Sequence, residues 1–336
     1  MSTIGGTALT LIDHAKRMDP DGSVAKIVEM LNETNEILDD MLWLEGNLPT
    51  GHRTTIRNGL PSTTWRKLNY GVQPSKSLTT QVDDTCGMLE AWGQVDKDIA
   101  DLNGNTAEFR LSEDRAYIES MNQEFADILM YGDTDVDPEK FLGLAPRYYD
   151  LVTGETNNVI GGGGSASAGS GDLSSIWLVV WGPNTVHGIF PKGSKAGIVS
   201  EDLGLVTLQD TQTPPGLYRG YQTHYQWKCG LCVRDWRYIV RIANLETAIA
   251  STGLTTNGVA AVNLLIKALN WVPNVRMGKP VFYCNKYLKT QFDILASTKS
   301  NAFYTKEDPF GRPITTFMGV PIKRVDSILA TEEQIS

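Results

Sequence analysis

The sequence predicts an α+β fold, and three observations carry that expectation. Apolar residues recur at helical spacing in the first half, short β-type runs dominate the second, and 336 residues at 41% hydrophobic and 21% charged supply one large or two modest cores. The opening Met1-Ser2-Thr3-Ile4-Gly5-Gly6 lacks a basic segment followed by an apolar core and a small-residue cleavage site, so nothing in it directs secretion.

Taken in order, Ser23 suits the N-cap of a helix carrying Ile27, Met30, Leu31, Ile37, Leu38 and Met41, which stops near Gly46-Asn47. From Leu48 to Val82 the texture changes. Thr-rich or aromatic runs at Arg53 to Arg57 and Thr63 to Tyr70 alternate with turn signals at Asn58-Gly59, Leu60-Pro61 and Gln73-Pro74, which reads as a two-stranded excursion. Having few large apolar residues, it projects from the body or lies on a neighbour. Met88 to Val95 is a further strand. Thr106 can cap a helix over Ala107 to Tyr131, roughly 35 Å long, with Tyr117, Ile118, Met121, Phe125, Ile128 and Leu129 on one stripe and Gly132 as its stop.

Asn157 to Asp172, with Gly161 to Gly164, has the composition of a flexible solvated loop, so a boundary falls near residue 150. Beyond it, Ser175 to Trp181, Val186 to Phe190, Leu205 to Leu208, Gln222 to Lys228 and Asp235 to Ile242 are expected strands. Helices follow at Val259 to Trp271 and Lys286 to Leu295, with the strand Val281 to Cys284 between them and Asn285 placed to cap the second. Arg312 to Leu329 returns to short β-type runs broken by Gly319 and Pro321.

Composition excludes several function classes. The apolar runs Ile176 to Trp181 and Val259 to Ile266 are far short of the ~20 residues of a bilayer span. Four cysteines, Cys86, Cys229, Cys232 and Cys284, are too sparse for a disulfide scaffold and fit a reducing cytoplasm. A formal net charge of −9 argues against wrapping nucleic acid on a strongly basic face, although an acidic chain can enclose DNA without gripping it.

No local pattern carries chemistry. The Gly161 to Gly164 run is followed by Ser165-Ala166-Ser167-Ala168 with no lysine, which does not match a phosphate loop. Cys229-Gly230-Leu231-Cys232 has zinc-knuckle spacing but no second Cys or His pair nearby, and on an extended segment residues three apart face opposite ways; core thiols are the reading, with Cys86, Cys284 and His224 the distant candidates to complete a zinc site. His14, His52, His187 and His224 stand isolated from any nucleophile pattern. Asp83-Asp84 and Asp133 to Asp137 read as solvated charge. No catalytic residue, cofactor or metal is therefore predicted. Arg53, Arg57, Arg66, Lys67 and Lys76 make the excursion basic within an acidic chain, and Trp65 and Tyr70 beside them suit a protein interface, so inter-subunit contact is favoured over nucleic-acid contact.

This order of elements resembles the tailed-phage capsid fold, the Hong Kong 97 fold. Pro280 to Leu288 looks like the strand and helix of that family's axial domain. Asp308-Pro309-Phe310-Gly311-Arg312-Pro313-Ile314 and Met318-Gly319-Val320-Pro321-Ile322 look like its returning link and strand. Thr64 to Val72, together with Cys229 to Tyr238, resembles the branch found in short-tailed phages. The resemblance spans nearly the whole chain. It implies an N-terminal arm and leader helix over 1–50, an extended E-loop over 51–84, and a peripheral domain over 85–150 with a spine helix at 107–131. A mainly axial domain over 151–315 and a C-terminal return over 316–336 complete the implied chain. It further implies a major capsid protein of the virion, assembled in the host bacterial cytoplasm into pentamers and hexamers around double-stranded DNA, with separate scaffolding and portal proteins as partners, decoration proteins left open, and no membrane. Some members crosslink a loop lysine to an asparagine of a neighbour; Lys67 and Lys76 lie in that loop, and no such role is assigned to them. Two other readings stay open here: an encapsulin-type compartment, and a soluble α+β enzyme without a recognisable motif.

Overall fold

A computed structural model describes residues 33–102, 106–151, 158–164, 173–209, 215–247, 255–256, 259–297, 304–306 and 315–335. In chain order the elements begin with α1 (Ile37–Asp40), β1 (Trp43–Glu45), β2 (Gly51–Gly59), β3 (Leu78–Asp96), α2 (Lys97–Ala100) and α3 (Thr106–Tyr131). Then come β4 (Val159–Gly161), β5 (Leu173–Trp181), β6 (Val186–Phe190), β7 (Ile198–Gln209), β8 (Leu217–Val233) and β9 (Ile239–Glu246). The chain continues through β10 (Thr255–Thr256), β11 (Val259–Ala260), α4 (Ala261–Trp271), β12 (Lys279–Cys284), α5 (Lys286–Ser297), β13 (Tyr304–Lys306), β14 (Thr315–Phe317) and β15 (Val320–Arg324). Among the described residues no helix is long and apolar enough to cross a membrane. The expected α+β composition is present.

Two compact units divide the chain, which passes between them within β3, α3 and β8 and between β6 and β7. The larger comprises Thr34–Gly87, Ala126–Ala196 and Cys229–Ser336. Its central strand is β5, buried along its whole length between antiparallel β12 and antiparallel β9, and therefore an unbroken apolar run instead of an alternating one. β15 extends the sheet parallel to β12, and β1 lies parallel to β6. Asn285 caps α5 as its position predicts: its Oδ1 accepts the Leu288 amide at 2.9 Å, and its Nδ2 donates to Ser174 Oγ. Between β14 and β15 the chain reverses through Met318 and Gly319, both at positive φ, where glycine fits the second position without strain.

Buried charge ties this unit together. Asp40 accepts from Lys279 Nζ at 2.6 Å, Lys323 Nζ at 2.8 Å and Tyr283 Oη at 2.8 Å. Glu332 receives Arg241 Nη2 at 2.9 Å, Tyr131 Oη at 2.6 Å and Ser175 Oγ. Arg241 also donates to the Tyr148 carbonyl and lies over the Trp177 ring. A C-terminal segment with no regular structure is thereby fixed by three other parts of the unit.

The smaller unit draws on Met88–Phe125 and Gly197–Lys228. β7 and β8 form a long antiparallel pair, and the first part of α3 packs on the unit through Tyr117 against Tyr225 and Phe125 against Trp227, ring centroids 5.7 and 4.4 Å apart. Val95, Ala100 and Phe109 make a second cluster with Ile99 and Tyr221.

Several expectations are corrected. The strand opposite β2 is β3 and not Thr63 to Tyr70, which is exposed and irregular; β3 also runs unbroken through Met88 to Val95, which is expected as a further, separate strand. Cross-strand pairing decides this, since Arg53 meets Asp83 and Thr54 meets Val82, whereas the 63–70 run offers no carboxylate to Arg53. The expected leader helix is not continuous in the described residues: Asn35 bridges Val325, a helix begins only at Ile37 and ends at Asp40, and Trp43 to Glu45 pairs with Gly188 to Phe190 as a strand; Ser23 to Leu31 lie outside the described residues. The strand expected from Asp235 begins at Ile239, since the Asp235 carboxylate takes the Arg237 amide and starts a short 3-10 turn. Thr106 is the first residue of α3, its Oγ1 donating to Asp101. Gly161 to Gly164 is no solvated loop: Gly162 and Gly164 are buried and donate their amides to the Ala243 and Asn244 carbonyls. A Cβ would stand 2.6 Å from Leu245 at Gly162 and 2.6 Å from the Asn244 oxygen at Gly164, so these glycines let two backbones touch. The link Asp308 to Ile314 lies outside the described residues.

Candidate assembly surface

β2 and β3 form a hairpin whose arms separate at Gly59 and Leu78. Between them residues 60–77 are exposed throughout and contain only one turn, at Leu68-Asn69, with Asn69 at positive φ and the Tyr70 amide donating to the Lys67 carbonyl. Trp65 is 100% exposed, Leu68 87% and Tyr70 70%, with Leu60 and Val72 open beside them. Such a grouping of bare apolar side chains is unusual on a monomer and marks an interaction surface. The same stretch holds Arg66, Lys67 and Lys76 and no carboxylate.

The residues expected to contact a neighbour thus divide. Trp65, Arg66, Lys67, Tyr70 and Lys76 are all exposed on this loop, and Arg57 is exposed on β2 opposite Thr79. Arg53 is engaged at home: Nε and Nη2 donate to the two Asp83 oxygens at 2.6 and 2.7 Å. That pair raises the Arg53 pKa and lowers that of Asp83, chiefly through the hydrogen bonds between them. Among the described residues Arg57, Arg66, Lys67 and Lys76 form no ion pair.

The root of the hairpin is anchored instead. Asn47 brackets Arg53, accepting its amide at 2.7 Å and donating to its carbonyl at 2.8 Å. Asp84, 4% exposed, accepts from Arg147 Nη2 at 2.7 Å and from the Val233 amide at 3.3 Å. His52 is buried and accepts from Arg234 Nη2 at 3.0 Å through Nε2, because a guanidinium can only donate. His187 on β6 stands directly across from Cys232 on β8, and its ring meets that of His52 edge-on at 5.9 Å. Burial, then Arg234 and His52, pushes His187 down to about 4; burial and then Arg234 lower His52; burial and then Asp84 push the Cys232 thiol up to about 12. Sequence reasoning missed this cluster because its members lie on three strands far apart in the chain. Cys284 contacts the Lys323 carbonyl and His224 stacks on Trp92, so neither joins Cys232.

A rigid root bearing an exposed, apolar and cationic tip is suited to reaching another molecule. The family model of the major capsid protein GP7 matches residues 19–336. This chain belongs to the major capsid protein GP7 family. The GP7-family chain is also similar to a solved structure of bacteriophage Epsilon15, at 34% identity and a TM-score of 0.78, over 100% of this chain and 99% of that one. Its fold is accordingly the Hong Kong 97-like fold of phage shells, and the family is a structural one. More remote likenesses include the bacteriophage JBD30 capsid, 11% identical with a TM-score of 0.48 over 89% of this chain and 93% of that one. Another is the SrpI encapsulin complex of Synechococcus elongatus PCC 7942, 12% identical with a TM-score of 0.46 over 73% of this chain and 99% of that one. No curated protein matches. The GP7 match favours an icosahedral phage capsid subunit over the encapsulin and enzyme readings.

Proposed function

We propose that this capsid protein assembles by laying the 60–77 tip of its hairpin on the next subunit around five- and six-membered rings, which close into the icosahedral shell enclosing double-stranded DNA. One observation carries the reading: Trp65, Leu68 and Tyr70 stand bare beside three cations on a tip whose root is fixed. Burying them against an acidic neighbour removes apolar surface from water at roughly 25 cal/mol per Å² and pairs the cations. Heterologous contacts of this kind generate rings. On the same reading, residues 1–50 act as the N-terminal arm, 51–84 as the E-loop, 85–150 as the peripheral domain, 151–315 as the mainly axial domain and 316–336 as the return. Assembly takes place in the host bacterial cytoplasm with scaffolding and portal proteins, and the −9 net charge limits adhesion of the packaged genome.

The test is electron microscopy of shells formed by co-expression with the neighbouring phage genes. The Trp65→Ser/Tyr70→Ser double variant is expected to give folded subunits, with unchanged circular dichroism, that fail to close shells. Wild-type shells from that variant would refute the docking role of the tip.

A further inference from the structure

His187 is wholly buried, and neither of its ring nitrogens meets strict hydrogen-bond geometry, although the Gly182 backbone is near enough to act on the ring; His52 leaves Nδ1 without a partner. Burying such groups unpaired is costly, and a native core concentrates them only where something else satisfies them. Here the two imidazoles converge with a third group able to bind the same thing. One ligand atom from each of His52, His187 and Cys232 lies within 4.8 Å of the other two, and all three residues are buried. The backbone sets this up: His187 and Cys232 are cross-strand partners whose side chains share a face, and β2 brings His52 alongside at the hairpin root.

We propose that His52, His187 and Cys232 form a zinc site that staples the root of the hairpin to β6 and β8. Two imidazole nitrogens and a thiolate are a ligand set that suits Zn²⁺, and three protein ligands leave its fourth tetrahedral position open. The ion gives His187 the well-formed partner that the protein alone does not supply. Binding through sulfur releases the Cys232 thiol proton to solvent as the Zn–S bond forms. Binding through His52 Nδ1 moves that ring's proton to Nε2, so Arg234 must give up its 3.0 Å hydrogen bond there and turn away. Arg234 is therefore a built-in competitor of the ion. Asp84, close enough to act on all three ligands, offsets part of the guanidinium's repulsion.

The experiment uses the full-length, tag-free protein, with Zn²⁺ and Co²⁺ as probes. Elemental analysis after gel filtration is expected to give about one zinc per chain, and Co²⁺ replacing it should show tetrahedral d–d bands with a thiolate-to-cobalt charge-transfer band. Cys232→Ser should abolish the charge-transfer band and weaken Zn²⁺ binding by more than about 100-fold, beyond what loss of an outer partner costs. Arg234→Gln should tighten Zn²⁺ binding, a change that no merely structural role of these residues produces. Zinc at well under one per chain with no charge-transfer band in wild type overturns the proposal. So does a band that survives Cys232→Ser, which would mark adventitious binding elsewhere. Should Cys232→Ser fail to fold, the wild-type cobalt spectrum and the Arg234→Gln affinity still decide the matter.

Discussion

At the scale of single residues, the folded chain spends its buried charge on long-range ties. Asp40 has a pKa below the ordinary carboxyl value: burial pushes it up, but hydrogen bonds from Lys279, Lys323 and Tyr283 outweigh that. The unfolded chain therefore takes up the proton at higher pH than the folded one. The stabilisation is complete above about pH 4 and is lost as pH falls through the folded value. Asp40→Asn should cost about 2 kcal/mol at pH 7, and the gap between its urea midpoint and that of wild type should close as pH falls below about 4. Arg241 and Glu332 are both nearly fully buried, so Arg241→Met should cost about 3 kcal/mol by leaving the carboxylate unpaired. Urea unfolding of Arg241→Met with Glu332→Leu should show less loss than the sum of the single variants; additivity would mean that the two do not act as a pair. None of these ties was legible in the sequence. Asp40 and Tyr283 are 243 positions apart, and no local spacing marks a bond closed only by the tertiary fold. The Asn285 cap was legible because a cap acts within three residues.

At the scale of elements, periodicity served best where one face alone is buried. Met121, Phe125 and Leu129 of α3 repeat every fourth residue and are all buried, so the helix was readable to within one residue of its start. Composition misled where the same residues serve opposite ends. A glycine run reads as a solvated loop, yet here it lets β4 and the residues after it lie against β9. Gly162→Ala puts a methyl 2.6 Å from Leu245 and 2.8 Å from the Ala243 oxygen, and should cost about 2 kcal/mol in thermal unfolding. Gly161→Ala meets only the Leu151 methyls at 3.4 and 3.8 Å and should change stability by less than about 0.5 kcal/mol. Equal behaviour of the two variants would return the run to the status of a loop. The excursion was legible as paired strands near Arg53, but its partner strand was not, because the choice between 63–70 and 78–85 rests on cross-strand pairing.

At the scale of the whole molecule, the tip of the hairpin joins apolar surface to positive charge in a chain of net charge −9, and on the proposed docking the two parts act on different steps of assembly. Cations steer the encounter with an acidic neighbour over roughly a Debye length, about 10 Å at 0.1 M salt, whereas buried aromatic surface holds the contact once made. Charge reversal at Arg66 and Lys67 should therefore slow assembly, followed by light scattering, and flatten its salt dependence while leaving the finished shell about as resistant to dilution. Trp65→Ala should do the opposite, leaving the early rate and its salt dependence nearly unchanged while assembled shells dissociate faster. Neither set of residues contributes to the folded subunit's interior, since all are exposed, so thermal unfolding of the unassembled chain should be the same in every variant. This explains why the sequence pointed to the tip while giving no account of its fit: Trp65 and Tyr70 on a basic excursion are anomalous for a monomer, but on the proposed docking the surface they complement belongs to another copy. If the charge-reversed and Trp65 variants altered rate and dissociation alike, the tip would act as a single hydrophobic plug and its cations would carry no separate role.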